Sequence, residues 1–241
     1  GGNVQYEMSG RQAGVVCGGV AAIHEMVRRL GLAELLNRRI HLLKAHLPYF
    51  ESDHILSIAF NALADGTCLE DLERLRNDEA FMDQLGARRV PDPTTAGDFL
   101  RRFGERDVIL LMEAINDARA VVWQKKAAAD PAFFDEAIIE VDGTITETLG
   151  ECKGGMDISY KGIWGYAPLV VTLANTREPL YIINRPGNTP SSTDAAQWIE
   201  RAIGRVAKYF KKVTVRGDTD FSLTRVLDGW AEKVEFVLGY D

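Results

Sequence analysis

The hydrophobic pattern changes period near residue 130, and this change limits the fold more than any other feature of the chain. Upstream, apolar residues recur at helical spacing: Val20, Ile23, Val27 and Leu30, then Leu32, Leu35 and Leu36. That spacing puts them on one face of a helix, and residues 12 to about 128 read as mostly helical. From Ala137 onward the apolar residues form short β-branched runs: Ile138–Thr144, Tyr166–Leu173, Leu180–Asn184, Val213–Val215 and Val234–Leu238. Runs of this length and composition predict strands. Two helical stretches interrupt them. One is capped by Ser191 or Ser192 and runs to about Tyr209, with Ala196, Ile199, Ala202, Ile203, Val206 and Phe210 on a stripe; the other is Leu223–Ala231. The chain therefore predicts a helical region over 1–130 and an α/β region over 131–241.

Within the helical region, Gly31 separates two helices and Pro48 closes the segment. Ser52 or Asp53 can cap a helix over His54–Ala64 that stops at Asp65-Gly66. Leu69–Arg76 gives a short amphipathic piece. Pro91 and Pro93 force an extended entry into a helix capped by Thr94 or Thr95. Arg88, Arg89, Arg101 and Arg102 flank this stretch, which has the look of a helix–turn–helix with cations suited to phosphates. In the second region the order β-β-β-α-β-α-β is that of the ribonuclease-H-like mixed sheet. There the first strand and the strand after the first helix are neighbours. Gly150–Gly165, rich in Gly and Lys, reads as a mobile loop.

Two of the predicted strands end on a carboxylate followed by small residues: Val141-Asp142-Gly143-Thr144 and Arg216-Gly217-Asp218-Thr219. An aspartate there costs strand propensity and desolvation, so it needs a reason. Two such groups side by side form a hard-oxygen site for Mg²⁺ or Mn²⁺, the minimum for metal-assisted phosphodiester chemistry. From the residues alone this reading stands level with that of strand-end acids in an ordinary α/β domain. By strand alternation Glu140 shares a face with Asp142, and Arg216 with Asp218. Glu140 suits a salt bridge; Arg216 suits either a phosphate or neutralisation of the acids. Lys153, Lys161, Arg177 and Arg185 are phosphate candidates that also read as plain surface. Trp164 can stack on a splayed base or pack. Asp220 reads as a solvated loop acid.

Composition excludes several classes. The chain has 241 residues, 46% hydrophobic and 26% charged, which fits one large domain or two small ones. No run of 18 apolar residues predicts a membrane span. The start Gly1-Gly2-Asn3 has no signal-peptide pattern and no Met, so a fragment or a tag remnant is expected. Cys17, Cys68 and Cys152 show no zinc spacing; they read as small hydrophobes in a reducing cytoplasm. His24, His41, His46 and His54 have no acid at ligand spacing. Gly14–Gly19 lacks the ending of a phosphate loop. The net charge of −7 argues against a nucleic-acid partner on the usual footprint, although one basic face suffices for binding.

The strings Val141-Asp142-Gly143-Thr144, Gly165-Tyr166-Ala167-Pro168-Leu169, Arg185-Pro186-Gly187-Asn188 and Arg216-Gly217-Asp218-Thr219-Asp220-Phe221 together resemble the DDE transposases of bacterial insertion sequences. The resemblance is closest to the family called "thirteen-eighty" in the group-one class, and it covers nearly the whole chain. It implies metal-dependent DNA strand cleavage and strand transfer with two divalent metal ions, Mg²⁺ or Mn²⁺. Asp142 and Asp218 become the first two catalytic, metal-binding acids, with Thr144 in support near Asp142. Arg216, Arg185, Lys161, Lys153, Arg101 and Arg102 become candidate DNA contacts. The implied partners are DNA, as terminal inverted repeats and target, and a second copy in a synaptic dimer at the bacterial nucleoid. The chain departs from the family where Ala167 replaces a histidine and where Thr219-Asp220 replaces Ser-Gly. The family's third acid, a glutamate, lies beyond the fifth strand. Glu232, Glu235 and Asp241 do not match its setting, so the chain reads as truncated and inactive, or nearly so, by itself. Two alternatives remain: another ribonuclease-H-like nuclease, and a non-catalytic DNA-binding fragment or regulator.

Overall fold

The structure is a computed structural model that describes residues 14, 17–150, 153–222, 224–231 and 234–239. Cys152, Glu232, Asp241, Leu223 and the Val15-Val16 portion of the glycine-rich start lie outside the described residues. The chain divides into two compact units, Gly1–Val122 and Trp123–Asp241. The boundary falls inside a long helix.

The first unit is helical: α1 Gly19–Leu30, α2 Leu32–Arg39, α3 Glu51–Leu63, α4 Leu72–Arg76, α5 Glu79–Leu85, α6 Pro93–Leu100 and most of α7 Glu105–Ala129. Gly31 separates α1 from α2 in a left-handed conformation (φ +64°), which glycine adopts without a Cβ clash. Helix α3 starts at Glu51, earlier than expected, because the Asp53 carboxylate accepts the amide of Phe50 at 2.8 Å and so caps from inside the first turn. Asp92, rather than either threonine, caps α6. Its carboxylate accepts the Thr95 amide at 2.9 Å and the Thr95 hydroxyl at 2.7 Å, with Pro93 in the first turn. The buried Glu51 accepts the amides of Leu42 and Leu43, each at 3.0 Å, and pins the segment between α2 and α3. Burial pushes this carboxyl's pKa up, but those amides and nearby His46 outweigh it and the net direction is down. His46 Nε2 lies 3.3 Å from Glu51, so one histidine does meet an acid, through a loop that brings them together. Cys17 is half-buried, while Cys68 is exposed. The core of this unit includes Phe60, Leu75 and Phe81 in one cluster, and Leu36, Ile40 and Ala114 in another.

The second unit is mixed α/β. Its strands are β1 Glu136–Gly143, β2 Thr146–Glu147, β3 Asp157–Ile158, β4 Trp164–Tyr166, β5 Leu169–Leu173, β6 Glu178–Ile183, β7 Lys212–Gly217 and β8 Glu235–Leu238. Its helices are α8 Ala195–Val206 and α9 Thr224–Ala231. The main sheet has the order β6-β5-β1-β7-β8. β5 and β6 run antiparallel to their neighbours, whereas β1, β7 and β8 are parallel. Ala137, Ile139 and Val141 alternate into the core with Leu169, Val171, Leu173 and Val215, alongside Trp198, Ile199 and Ala202 of α8. This alternation sends the even-numbered residues of β1 to the opposite face.

Two expectations change. The single run Tyr166–Leu173 divides into β4 and β5 at Ala167-Pro168. Pro168 has no amide to continue a ladder, and Ala167 gives its own amide to Arg185 O. The expected mobile loop is partly ordered, since β2, β4 and β3 form a second, three-stranded sheet. Gly165 makes this close packing feasible: a Cβ there would lie 2.1 Å from Thr146 O.

Candidate functional site

The site is built on the parallel pair β1–β7. Its register runs from Glu136↔Lys212 to Glu140↔Arg216, a constant offset of 216 − 140 = 76 residues. The strands stay close one step further, since a Cβ on Gly217 would lie 3.1 Å from Val141 Cγ1. Continued two residues past the paired stretch, the same offset of 76 would match Asp142 with Asp218. Asp142 lies within β1, but Asp218 falls one residue past β7, where it opens a short 3₁₀ turn over Thr219–Phe221. Its Oδ1 accepts the Asp220 amide at 3.0 Å, and Asp142 Oδ1 accepts the Gly143 amide at 2.8 Å.

Along the open face of these strands the charges alternate in sign across the pair. Lys212 Nζ lies 3.3 Å from Glu136 and 2.8 Å from Glu235. The Thr214 hydroxyl donates to Glu136 at 2.6 Å, and Arg216 Nη2 pairs with Glu140 at 2.9 Å. The Thr214 hydroxyl, then Lys212, hold the Glu136 carboxyl below its ordinary range. Glu235, then Glu136, raise the Lys212 ammonium. The alternation stops where the pairing does: the last paired residues are Glu140 and Arg216, and the next acid on each chain segment, Asp142 and Asp218, is exposed. Beyond Arg216 this end of the two strands carries carboxylates without an interleaved cation of the β1–β7 ladder. Glu235 is held by Lys212 at the other end of the strands. Among the described residues, no group of three His, Cys, Asp or Glu side chains is arranged to hold a metal ion.

The other sequence-predicted residues distribute as follows. Arg216 is paired with Glu140. Thr144 does not serve Asp142 by its amide, which it gives to Pro168 O at 2.9 Å; the amide on the Asp142 carboxylate is that of Gly143. Lys153 donates to the Thr148 hydroxyl at 2.6 Å. Arg177 sits in the β5–β6 turn with φ +58°. Trp164 is 44% exposed on β4. Arg101 and Arg102 belong to the first unit, where Arg101 pairs with Asp98 at 2.6 Å and Arg102 donates to Leu42 O at 3.3 Å.

Arg185 differs most from expectation, being buried rather than a surface cation. Its Nε donates to Ala167 O at 3.0 Å. Its Nη1 donates to Ser191 O at 3.1 Å and Thr193 O at 2.8 Å, with Pro190 O at 3.4 Å. Burial lowers its pKa from the ordinary value, against the opposing pull of Asp194. The guanidinium's fixed fork of donors thus folds the segment after β6 beside Gly143. This also explains why α8 starts at Ala195 and not at Ser191 or Ser192, whose neighbours' carbonyls are already engaged. A cavity of about 620 Å³ results, lined by Gly143, Thr144, Lys161, Arg185, Ser191 and Asp220 among others. Sequence reasoning missed this cavity and its Tyr160 and Asn188. The only signal was the Arg185–Asn188 string, which reads locally as a turn.

The family described as Transposase DDE domain group 1 matches residues 1–240. Among solved structures, the cryo-EM structure of a piggyBac transposase synaptic complex with hairpin DNA is similar at 15% identity and a TM-score of 0.36. That match covers 92% of this chain and 49% of the other, so this chain spans about half the length of that transposase. No curated protein matches the chain. Among the described residues, no helix is long and apolar enough to cross a membrane.

Proposed function

The chain belongs to the group-one transposase DDE domain family, and we propose that it carries the metal-dependent strand-cleavage and strand-transfer site of an insertion-sequence transposase. One observation supports this most: β1 and β7 are paired in parallel up to Glu140↔Arg216, and the offset of that register, continued two residues, matches Asp142 with Asp218. The sheet order, with two antiparallel strands on one side of β1 and two parallel ones on the other, fits the ribonuclease-H-like arrangement. The finer "thirteen-eighty" assignment rests on the four sequence strings.

The donor chemistry suits the implied ions. Asp142 and Asp218 supply carboxylate oxygens, the ligands Mg²⁺ and Mn²⁺ prefer. Asp142 Oδ2 has no hydrogen-bond partner among the described residues. Bound there, such ions would supply positive charge against the oxyanions of phosphodiester cleavage and a more acidic water. The chain's own contribution is to fix the two carboxylates by strand register. Arg216 stays with Glu140, so it screens the face next to the acids. A third acid would complete the set. DNA ends and target are the proposed substrates, the helical first unit is the proposed end-binding region, and a dimer brings two ends together.

Mn²⁺ titration followed by electron paramagnetic resonance tests this reading. Asp142→Asn and Asp218→Asn should each weaken Mn²⁺ binding about tenfold or more, since each removes a full charge at contact distance. Wild-type protein that binds no Mn²⁺, or variants that bind it equally well, would overturn the assignment.

A further inference from the structure

The cavity beside the carboxylate pair has features that neither metal binding nor the fold requires. Its volume of about 620 Å³ lies in the range that takes small organic groups. Tyr160, on its wall, is 86% exposed, an aromatic face left in solvent. Lys161 Nζ stands 5.4 Å from the centre of that ring. Asn188, Thr189, Ser191 and Thr144 add amide and hydroxyl groups that both donate and accept. Arg185, also on the wall, is only 7% exposed, and its buried Nη2 has no hydrogen-bond partner. The wall therefore combines a stacking surface, an exposed cation, and a buried cation with an unmet donor.

A bare phosphate would use the cations but not the aromatic ring. A base-paired duplex offers no free base face to the ring. A single unstacked nucleotide uses both, because any base can stack on an aromatic side chain while its phosphate meets a neighbouring cation. Resting on the strand-cleavage reading above, we infer that this cavity takes one unstacked nucleotide of the DNA strand, next to the bond held at Asp142 and Asp218. Its base lies against Tyr160 and its phosphate towards Lys161. Trp164, the stacking candidate from sequence, does not line this cavity.

The experiment uses the full chain in EDTA, so that binding is read without cleavage. Fluorescence anisotropy compares a labelled duplex carrying a three-nucleotide single-stranded overhang with the same duplex blunt. The overhang should bind about tenfold tighter, the range expected for one stacked base. Tyr160→Ala should abolish that preference, Tyr160→Trp should keep it, and Asn188→Ala should reduce it. Tyr160 is exposed, so its replacement leaves folding intact, which equal thermal melts would confirm. Equal wild-type affinity for both duplexes, or a preference that survives Tyr160→Ala, would overturn the inference. So would displacement of the overhang by thymidine 5′-monophosphate at equally low concentration, which would make this a free-nucleotide site. Mn²⁺ binding by Tyr160→Ala should match wild type, so a failure here is separable from a failure of the metal site.

Discussion

His54 lies face to face with Phe99, ring centroids 4.4 Å apart and planes within 11°, and meets the edge of Tyr49 at 5.4 Å. It is buried, and its Nδ1 has no hydrogen-bond partner. Burial is the main cause that lowers its pKa below 6.5; Asp53 opposes the shift and Arg102 adds to it. With the folded value depressed, the unfolded chain takes up the proton first as pH falls. Stability from this group is therefore complete above pH 6.5 and declines below it until the folded state is also protonated. Urea unfolding at a series of pH values should show this decline, and His54→Phe should flatten it. His24, lowered first by burial and then by Arg28, leaves a residual slope of the same sign. The positions of Asp142 and Asp218 at the ends of β1 and β7 were legible in the sequence, because a strand pattern leads up to each. Arg185 was not legible: its partners are backbone carbonyls, which carry no residue-type signal.

Helix starts show what local chemistry decides. Asp92 caps α6 with both carboxylate oxygens, and Pro93 pre-sets the first turn. Asp92→Ala should cost about 1 kcal/mol, the usual loss for a side-chain N-cap, read as a lower urea midpoint for the first unit. Asp92→Asn, which keeps an accepting oxygen, should recover most of it. The periodicity of α1, α2 and α8 and the β-branched runs of β1 and β7 were readable because each buries a continuous stripe or face. β2 and β3 were not, since a two-residue strand has no period to detect. The late start of α8 was hidden for another reason: Ser191 and Ser192 suit a cap, but Arg185 engages the carbonyls around them.

The two units each have a core of their own, which allows them to unfold separately. All four tryptophans, Trp123, Trp164, Trp198 and Trp230, lie in the second unit, while most of the helix lies in the first. Urea denaturation followed by tryptophan emission and by circular dichroism at the helix band should give two curves that do not coincide. Coincident curves would mean one cooperative transition. The change of period near residue 130 marks where helices give way to strands; the division at Val122/Trp123 has no such mark, because α7 continues through it. The pairing of β1 with β7 also has a consequence for how the gene can change. The backbone ahead of Asp142 and Asp218 is aligned by hydrogen bonds between two strands, not by the 75 residues that separate them in the chain (218 − 142 − 1). Codons can therefore be gained or lost in the turns of that interval without moving either carboxylate. A single codon inserted inside β7 would be different: it would shift every later side chain to the other face and remove the site in one step.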